Sequence, residues 1–406
     1  MDALTTPSNW QKVRLGDIAE IIGGGTPSTQ VTSFWNGSIN WFTPTEIGIT
    51  KYVHKSQRTI TLLGLKKSSA KLLPIGTILL TSRASIGDCA ILKVVATTNQ
   101  GFQSLIPLEK INNEFLYYLM LTLKNKLLKL ASGSTFLEVS PNKIKNLLIP
   151  LPPLNEQIAI ANILSDVDRY LYSLDALILK KESVKKALSF ELLSQRKRLK
   201  GFNQAWQRVR LGDIGITISG LVGKTKQDFI NGNAKYITFL NVLNNVIIDT
   251  SILENVKIYP NEKQNSFKKY DLFFNTSSET PKEVGMCAVL LDDIDQVFLN
   301  SFCFGFRIFD KAVDSLFLSY LINSEIGRKA FENLAQGSTR YNLSKSGFNN
   351  VCLFLPPLDE QIAIANILST LDHEIISLKN KKRQFENIKK ALNHDLMNAK
   401  IRVLKK

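Results

Sequence analysis

A stretch of eighteen residues in this chain returns almost unchanged. Leu151-Pro-Pro-Leu-Asn-Glu-Gln-Ile-Ala-Ile-Ala-Asn-Ile-Leu-Ser-Asp-Val-Asp168 returns as Leu355-Pro-Pro-Leu-Asp-Glu-Gln-Ile-Ala-Ile-Ala-Asn-Ile-Leu-Ser-Thr-Leu-Asp372, with fifteen of eighteen positions identical at an offset of 204. The same offset aligns Lys185-Lys-Ala-Leu188 with Lys389-Lys-Ala-Leu392 and Gly133-Ser-Thr135 with Gly337-Ser-Thr339. Trp10-Gln-Lys-Val-Arg-Leu-Gly-Asp-Ile18 returns as Trp206-Gln-Arg-Val-Arg-Leu-Gly-Asp-Ile214, offset by 196. A repeat this long is a whole folding unit, so the chain reads as two copies of one design. Each copy opens on a Trp-Gln motif, runs through a divergent globular stretch and ends in a helical segment. The boundaries fall at 1–150, 151–203, 204–354 and 355–406.

The helical segments carry their own punctuation. Pro152-Pro153 ends what precedes and suits a helix start. Asn155 and Asp359 can cap the first turn, and Glu156 and Glu360 suit the positive end of the helix dipole. Pro and Gly are absent from 154–200 and 358–406. Ile160, Ile163, Val167, Tyr170, Leu174, Leu177, Lys181, Val184 and Leu188 recur at spacings of three and four, as do Ile364, Ile367, Leu371, Glu374, Leu378, Lys381, Phe385, Ile388 and Leu392. That is a heptad seam with one or two polar positions in each copy, and one seam cannot be buried alone. Two in one chain pair most simply with each other, antiparallel, about a local two-fold.

Between these helices the pattern changes. Thr77–Thr81, Cys89–Lys93, Asp271–Asn275 and Met286–Leu291 are short apolar runs bounded by turn residues and predict strands. Phe115–Leu121 and Phe317–Ile322 predict helices packed on the sheet. The fold class is therefore α+β, with two mixed-sheet domains joined by two long antiparallel helices.

Charge is concentrated. Of the net +16, residues 169–200 hold +6 (nine basic, three acidic) and residues 373–406 hold +7 (ten and three). Residues 201–372 are net −2 (16 basic, 18 acidic). The basic helices suit a polyanion or an acidic partner, or are simply solvated faces. No run of about 18 apolar residues appears, the first residues lack a basic region and apolar core, and Cys89, Cys287, Cys303 and Cys352 form no zinc or disulfide pattern. A cytoplasmic protein without a metal site is the expectation.

Chemistry is hard to find in the sequence. Gly220-Leu-Val-Gly-Lys-Thr225 lacks the first glycine of a phosphate loop, since position 218 is isoleucine. Gly23-Gly-Gly25 lacks the third glycine of a dinucleotide fingerprint and reads as a loop approaching something closely. Glu262-Lys263 and Pro281-Lys-Glu283 lack the paired carboxylates and lysine of a metal-dependent nuclease, and no methyltransferase motif is present. A binding protein is favoured over an enzyme.

The doubled Leu-Pro-Pro-Leu-(Asn/Asp)-Glu-Gln-Ile, each copy leading a long basic helix, resembles the DNA-specificity subunit of Type I restriction–modification enzymes. The Trp-x-x-Val-Arg-Leu-Gly-Asp-Ile opening and the Gly-Ser-Thr loop are similar to that family too, and the likeness spans essentially the whole chain. It implies two target-recognition domains, each reading half of a split, asymmetric double-stranded DNA sequence. It also implies helices that act as spacer and dock partner subunits, and a chain that is itself non-catalytic. The partners implied are two methyltransferase subunits and two restriction subunits, which bring S-adenosylmethionine, ATP and Mg²⁺; this chain needs no cofactor. An inserted helical turn near Gln195 is then expected to lengthen the unread gap. The alternatives are a free-standing bipartite DNA-binding regulator, an enzyme with a degenerate site, and a scaffold without nucleic acid.

Base readout needs Arg or Lys for guanine, Asn or Gln for adenine and small polar groups on loops. In the first domain the expected readers are Gly24, Gly25, Thr26, Ser28, Trp41, Thr43, Ser82, Arg83 and Ser85, with Ser134 and Thr135 of the Gly-Ser-Thr loop. In the second they are Lys224, Thr225, Lys226, Asn241, Thr276, Ser277, Ser278, Thr280, Lys282, Ser338, Thr339, Arg340 and Asn342. Lys224 and Lys226 suit phosphate rather than bases. Arg83 could instead sit in a surface ion pair, and Trp41 could be core. Glu156, Gln157, Glu360 and Gln361 look like part of the family's methyltransferase-docking surface, or else serve as helix caps and intrachain packing.

Overall fold

The computed structural model describes residues 7, 9–132, 137–332, 334, 337 and 340–403. The chain divides into two compact units, Met1–Asp175 with Asn380–Lys406, and Ala176–Lys379.

In the first unit a five-stranded sheet runs Ala19–Gly23, Gln103–Pro107, Ile78–Leu80, Cys89–Leu92, Tyr52–Val53, antiparallel except for its last pair. A second sheet runs Arg58–Ile60, Trp35–Phe42, Ala96–Thr98. The strands over Ile78–Leu80 and Cys89–Leu92 are buried throughout, which is why the sequence shows unbroken apolar runs there instead of alternation. The helix Asn113–Leu130 is capped by Asn112, whose side chain accepts from Phe115 N. Its Phe115, Tyr118 and Met120 are fully buried in one core with Ile160 and Leu164 of the long helix.

The second unit repeats the plan. A four-stranded antiparallel sheet runs Gly215–Ser219, Cys303–Ile308, Leu272–Asn275, Cys287–Val289, and a three-stranded one Glu254–Val256, Ala234–Ile237, Val297–Leu299. The helix Ser315–Asn323 is capped by Asp314. Phe274, Phe304, Phe306 and Phe348 interlock in its core, with ring centroids 4.7 to 6.4 Å apart.

The repeated motifs are the frame of each unit. Gln11–Arg14 pairs antiparallel with Leu148–Leu151, so the Trp-Gln opening is stitched to the strand entering Pro152-Pro153, with Gln11 opposite Leu151. Gln207–Arg210 pairs with Cys352–Leu355 in the same way, Gln207 opposite Leu355. Two motifs some 140 residues apart in sequence thus form one ribbon that closes the domain, and the divergent stretch is what this frame holds.

The long helices run Leu154–Leu193 and Leu358–Met397, 40 residues each. That is about 60 Å apiece at 1.5 Å per residue. In the first unit Asp168 pairs with Lys389 and Asp175 with Lys382, so one number rises as the other falls: the segments are antiparallel. The rings of Tyr170 and Phe385 meet at 4.6 Å. In the second unit Lys181 pairs with Glu374, Lys185 with Asp372 and Glu182 with Lys379, again antiparallel.

The expected seam needs correction along its middle. Ile160, Leu174 and Ile364 are buried, whereas the apolar Leu177, Val184 and Ile388 are exposed, alongside the polar positions Glu374 and Lys381. Near their starts the helices also lie on a domain core, which dries the seam. Farther along, these ion pairs accompany the pairing. Gln195 lies beyond the end of its helix, in the left-handed region at φ 61°. An insertion meant to lengthen the helix therefore belongs before Leu193.

Candidate nucleic-acid interface

In the first unit three separated segments meet at one edge. Strand pairing sets Gly23 opposite Gln103, which lays the loop after Gly23 beside the loop before Gln103. Gly25 N donates to the Thr98 carbonyl at 2.9 Å. Ser82 N donates to the Gly101 carbonyl at 2.8 Å, and Val139 N donates to the Ser82 carbonyl at 3.1 Å. Loops 24–28 and 81–85 therefore flank residues 98–102.

The second unit builds the same edge. Leu221 N donates to the Leu299 carbonyl at 2.8 Å, Thr276 N to the Phe302 carbonyl at 3.0 Å, and Leu343 N to the Thr276 carbonyl at 2.8 Å. Ser277–Ser278 pairs with Tyr341–Asn342, Ser277 opposite Asn342. At the centre of each edge an asparagine closes a turn on the residue two ahead. Gly101 N donates to Asn99 Oδ1, and Phe302 N to Asn300 Oδ1, both at 2.8 Å. Asn99, Gln100, Asn300 and Phe302 are not among the expected readers, because this loop carries no repeated motif and its place at the edge is visible only once the strands are paired. The exposed Lys66, Lys67 and Lys71 beside Ser69 and Ala70, against which Gly25 packs, fall outside that set for the same reason.

Among the expected readers, several are taken up by the fold. Trp41 is 4% exposed, with its indole N–H on the Gly25 carbonyl at 2.9 Å and its ring edge-on to Trp35 at 5.0 Å, so it is core. The close approach that demands glycine at 24 and 25 is to the chain itself. A Cβ on Gly24 would lie 1.9 Å from the Asn99 carbonyl oxygen, and one on Gly25 would lie 2.3 Å from Ala70 N. Thr43 caps the turn at Glu46, and Ser82 is buried. Asn241 is fully buried, bridging Asp249 N and O at 3.0 and 2.9 Å. Ser277 and Ser278 are buried, the latter donating to Glu283 at 2.7 Å, and Thr276 Oγ1 donates to the Phe302 carbonyl at 2.8 Å. Apart from Trp41 and the two glycines, these corrections share one cause: short polar residues are spent on the fold's own turns, side chains and backbone.

Lys224 is a correction of another kind. Its side chain is only 4% exposed, salt-bridged to Glu262 and donating to the Lys257 carbonyl at 2.6 Å, so its ammonium is already engaged within the fold. The Lys224 hydrogen bond, the Tyr259 N–H and Gln264 hold the Glu262 carboxyl down at about 2. Thr225 caps Asp228, whose carboxyl is likewise lowered by the Thr225 N–H and by the Thr225 hydroxyl.

What remains at the surface is a smaller set. Thr26 donates to Gln100, Ser28 is exposed, and Arg83 pairs with Glu138 at 2.9 Å while 42% exposed. Ser85 is half-buried beside Ala84, whose φ is 52°. In the second unit Lys226, Thr280, Lys282, Arg340 and Asn342 are exposed. Ser134, Thr135, Ser338 and Thr339 lie outside the described residues.

The repeated Glu-Gln pairs do not form an open docking surface. Glu156, Gln157, Glu360 and Gln361 are 1 to 2% exposed. Gln157 accepts from Asn112 N at 2.9 Å and donates to the Pro152 carbonyl at 2.9 Å; Gln361 accepts from Asp314 N at 2.9 Å and donates to the Pro356 carbonyl at 2.8 Å. Each glutamine ties the domain helix's cap to the long helix's first turn. Glu156 receives Arg402, and Glu360 receives Arg198. Their burial follows from this work: a buried carboxylate or amide needs internal partners.

Among the described residues no three His, Cys, Asp or Glu side chains gather as a metal site, and no helix is long and apolar enough to cross a membrane.

Comparison with known proteins agrees with this doubled build. The model of the Type I restriction modification DNA specificity domain matches residues 7–181 and again 203–387. The Type I restriction enzyme MjaIX specificity subunit of Methanocaldococcus jannaschii is 31% identical over 298 residues, 68% of either chain. The MjaVIII specificity subunit of the same organism is 28% identical over 426 residues, covering 99% of this chain and 95% of the relative. The fold is that of the crystallised S subunit of a Type I restriction–modification system from M. genitalium, with TM-score 0.61, 18% identity and 98% of both chains covered. The HsdS subunit from Thermoanaerobacter tengcongensis superposes with TM-score 0.52 at 17% identity, over 98% of this chain and 99% of that one. This chain, with two such domains in tandem, belongs to the Type I restriction–modification DNA specificity family, whose members recognise DNA sequence for their complexes and are not themselves catalytic.

Proposed function

We propose that this chain recognises a split, asymmetric double-stranded DNA target, each unit reading one half, and directs methyltransferase and restriction subunits to it. The observation that carries this reading is the edge built twice on one hydrogen-bond plan with different side chains displayed. Equal frames suit equal tasks, and unequal displays suit two unlike half-sites. In the first unit Arg83 reads guanine and Thr26, Ser28 and Ser85 line the groove edge. In the second, Arg340 and Asn342 read bases while Lys226 and Lys282 hold phosphate.

Two methyltransferase subunits fit two equivalent surfaces. With the Glu-Gln pairs buried, the exposed sides of the same repeated turns are the better docking residues: Ile158 and Asn162 in one copy, Ile362 and Asn366 in the other. Two restriction subunits complete the assembly. S-adenosylmethionine, ATP and Mg²⁺ belong to those partners, and the site of action is the cytoplasm. Co-expression with the methyltransferase subunit of its own system, followed by genome-wide methylation sequencing, tests the reading. A bipartite motif is expected, and replacing residues 1–150 with those of a relative changes one half only. A contiguous motif, or a change in both halves, overturns it.

A further inference from the structure

Phe302 is 55% exposed, yet its backbone is pinned on both sides. Its N–H donates to Asn300 Oδ1 at 2.8 Å, and its carbonyl accepts from Thr276 N at 3.0 Å and Thr276 Oγ1 at 2.8 Å. The guanidinium carbon of Arg340 lies 5.9 Å from the ring centroid, within cation–π range. Asn342, on the strand opposite Ser277, completes the exposed trio.

The first unit shows what the turn itself requires. There the equivalent place is Gly101, on the same turn closed by Asn99, and a Cβ on it would come within 2.8 Å of Pro44. The turn works without a side chain, so the phenyl ring is not needed to form it. A ring held in water by a fixed backbone, beside a guanidinium and at the centre of the edge, is placed to touch something apolar on the ligand. In the major groove the apolar group available is the thymine methyl, and Phe is suited to it, while Arg suits the guanine edge.

We infer that Phe302 packs on the 5-methyl group of a thymine, adjacent to a guanine read by Arg340, in the half of the target read by the second unit. The inference rests on the proposed function. Its test uses the complete methyltransferase complex and duplexes carrying the motif mapped by methylation sequencing, with deoxyuridine replacing each thymine of the second half in turn. Removing one buried methyl is expected to weaken wild-type binding about fourfold at a single position. Phe302→Gly, which copies the first unit, loses a similar factor on the thymine duplex and no longer distinguishes deoxyuridine from thymine. Phe302→Leu keeps part of the discrimination. Discrimination among single-base changes at the other positions of the second half stays as in wild type, which shows that the second unit of the variants folds.

Equal binding of thymine and deoxyuridine duplexes by wild type at every position overturns the inference. So does undiminished discrimination by Phe302→Gly, a second half without thymine, or a loss by Phe302→Gly that is uniform across both halves. Failure of the underlying reading looks different: the wild-type methylation pattern then shows no split motif at all.

Discussion

Glu360 accepts two hydrogen bonds from Arg198, from Nε at 2.7 Å and Nη2 at 2.6 Å, and the carboxylate side chain is 1% exposed. Glu156 and Arg402, the residues 204 positions away from Arg198 and before Glu360, make the matching pair, with Nε at 3.0 Å. In each unit the first turn of one long helix is therefore fastened to the residues just past the end of the other. The sequence repeat is reciprocal: each copy supplies the acid for one fastening and the base for the other.

Breaking such a pair from one side strands its partner. Glu360→Gln is expected to destabilise the second unit by about 2–4 kcal/mol, because Arg198 keeps its charge and loses its carboxylate. Replacing both with apolar residues of similar volume costs less than the single change. Urea unfolding followed by tryptophan fluorescence of Trp206, the buried indole of that unit, with the other tryptophans replaced, reads both.

Lys224 and Lys226 separate structure from binding. Lys224→Met is expected to leave the salt dependence of DNA binding unchanged, whereas Lys226→Ala lowers its slope by about one. The pH behaviour of Lys224→Met follows from Glu262. Its folded value of about 2 lies below the ordinary 4.5, so its contribution to stability is complete above pH 4.5 and is lost as pH falls toward 2. The gap in thermal midpoint between wild type and Lys224→Met therefore closes across that window. A gap that holds constant down to pH 2 would show that Glu262 does not depend on Lys224.

Gly25→Ala drives a methyl to within 2.3 Å of Ala70 N, where only backbone can yield. A loss of about 1–3 kcal/mol in the first unit is expected, with no selective change at any base. Binding that changes at one base while stability holds would return this glycine to the reading surface.

Arg83→Ala removes an ion pair that is 42% and 32% exposed and so worth under about 1 kcal/mol to folding. Its expected effect is on recognition, with roughly tenfold or greater relaxation at one base pair of the first half-site. Methylation sequencing of the variant complex measures it; a uniform loss across all positions assigns Arg83 to phosphate.

Much of this protein was legible before folding was considered. The duplicated motifs gave the two-unit plan, the Pro-Pro starts gave the long helices, and the apolar runs gave the buried strands, because periodicity, proline and hydrophobic burial act locally. What local pattern could not distinguish was a polar side chain that faces the ligand from one that serves the chain. Trp41, Asn241, Lys224 and the Glu-Gln pairs have the right chemistry for recognition, and each is consumed by an internal partner brought from 8 to 246 residues away. Asn99, Gln100 and Phe302 carry no motif, and pairing of distant strands alone moves them to the centre of the edge. Side-chain type fixes what a residue can bind; burial and the competition for hydrogen-bond partners, settled only by the assembled backbone, fix what it does bind.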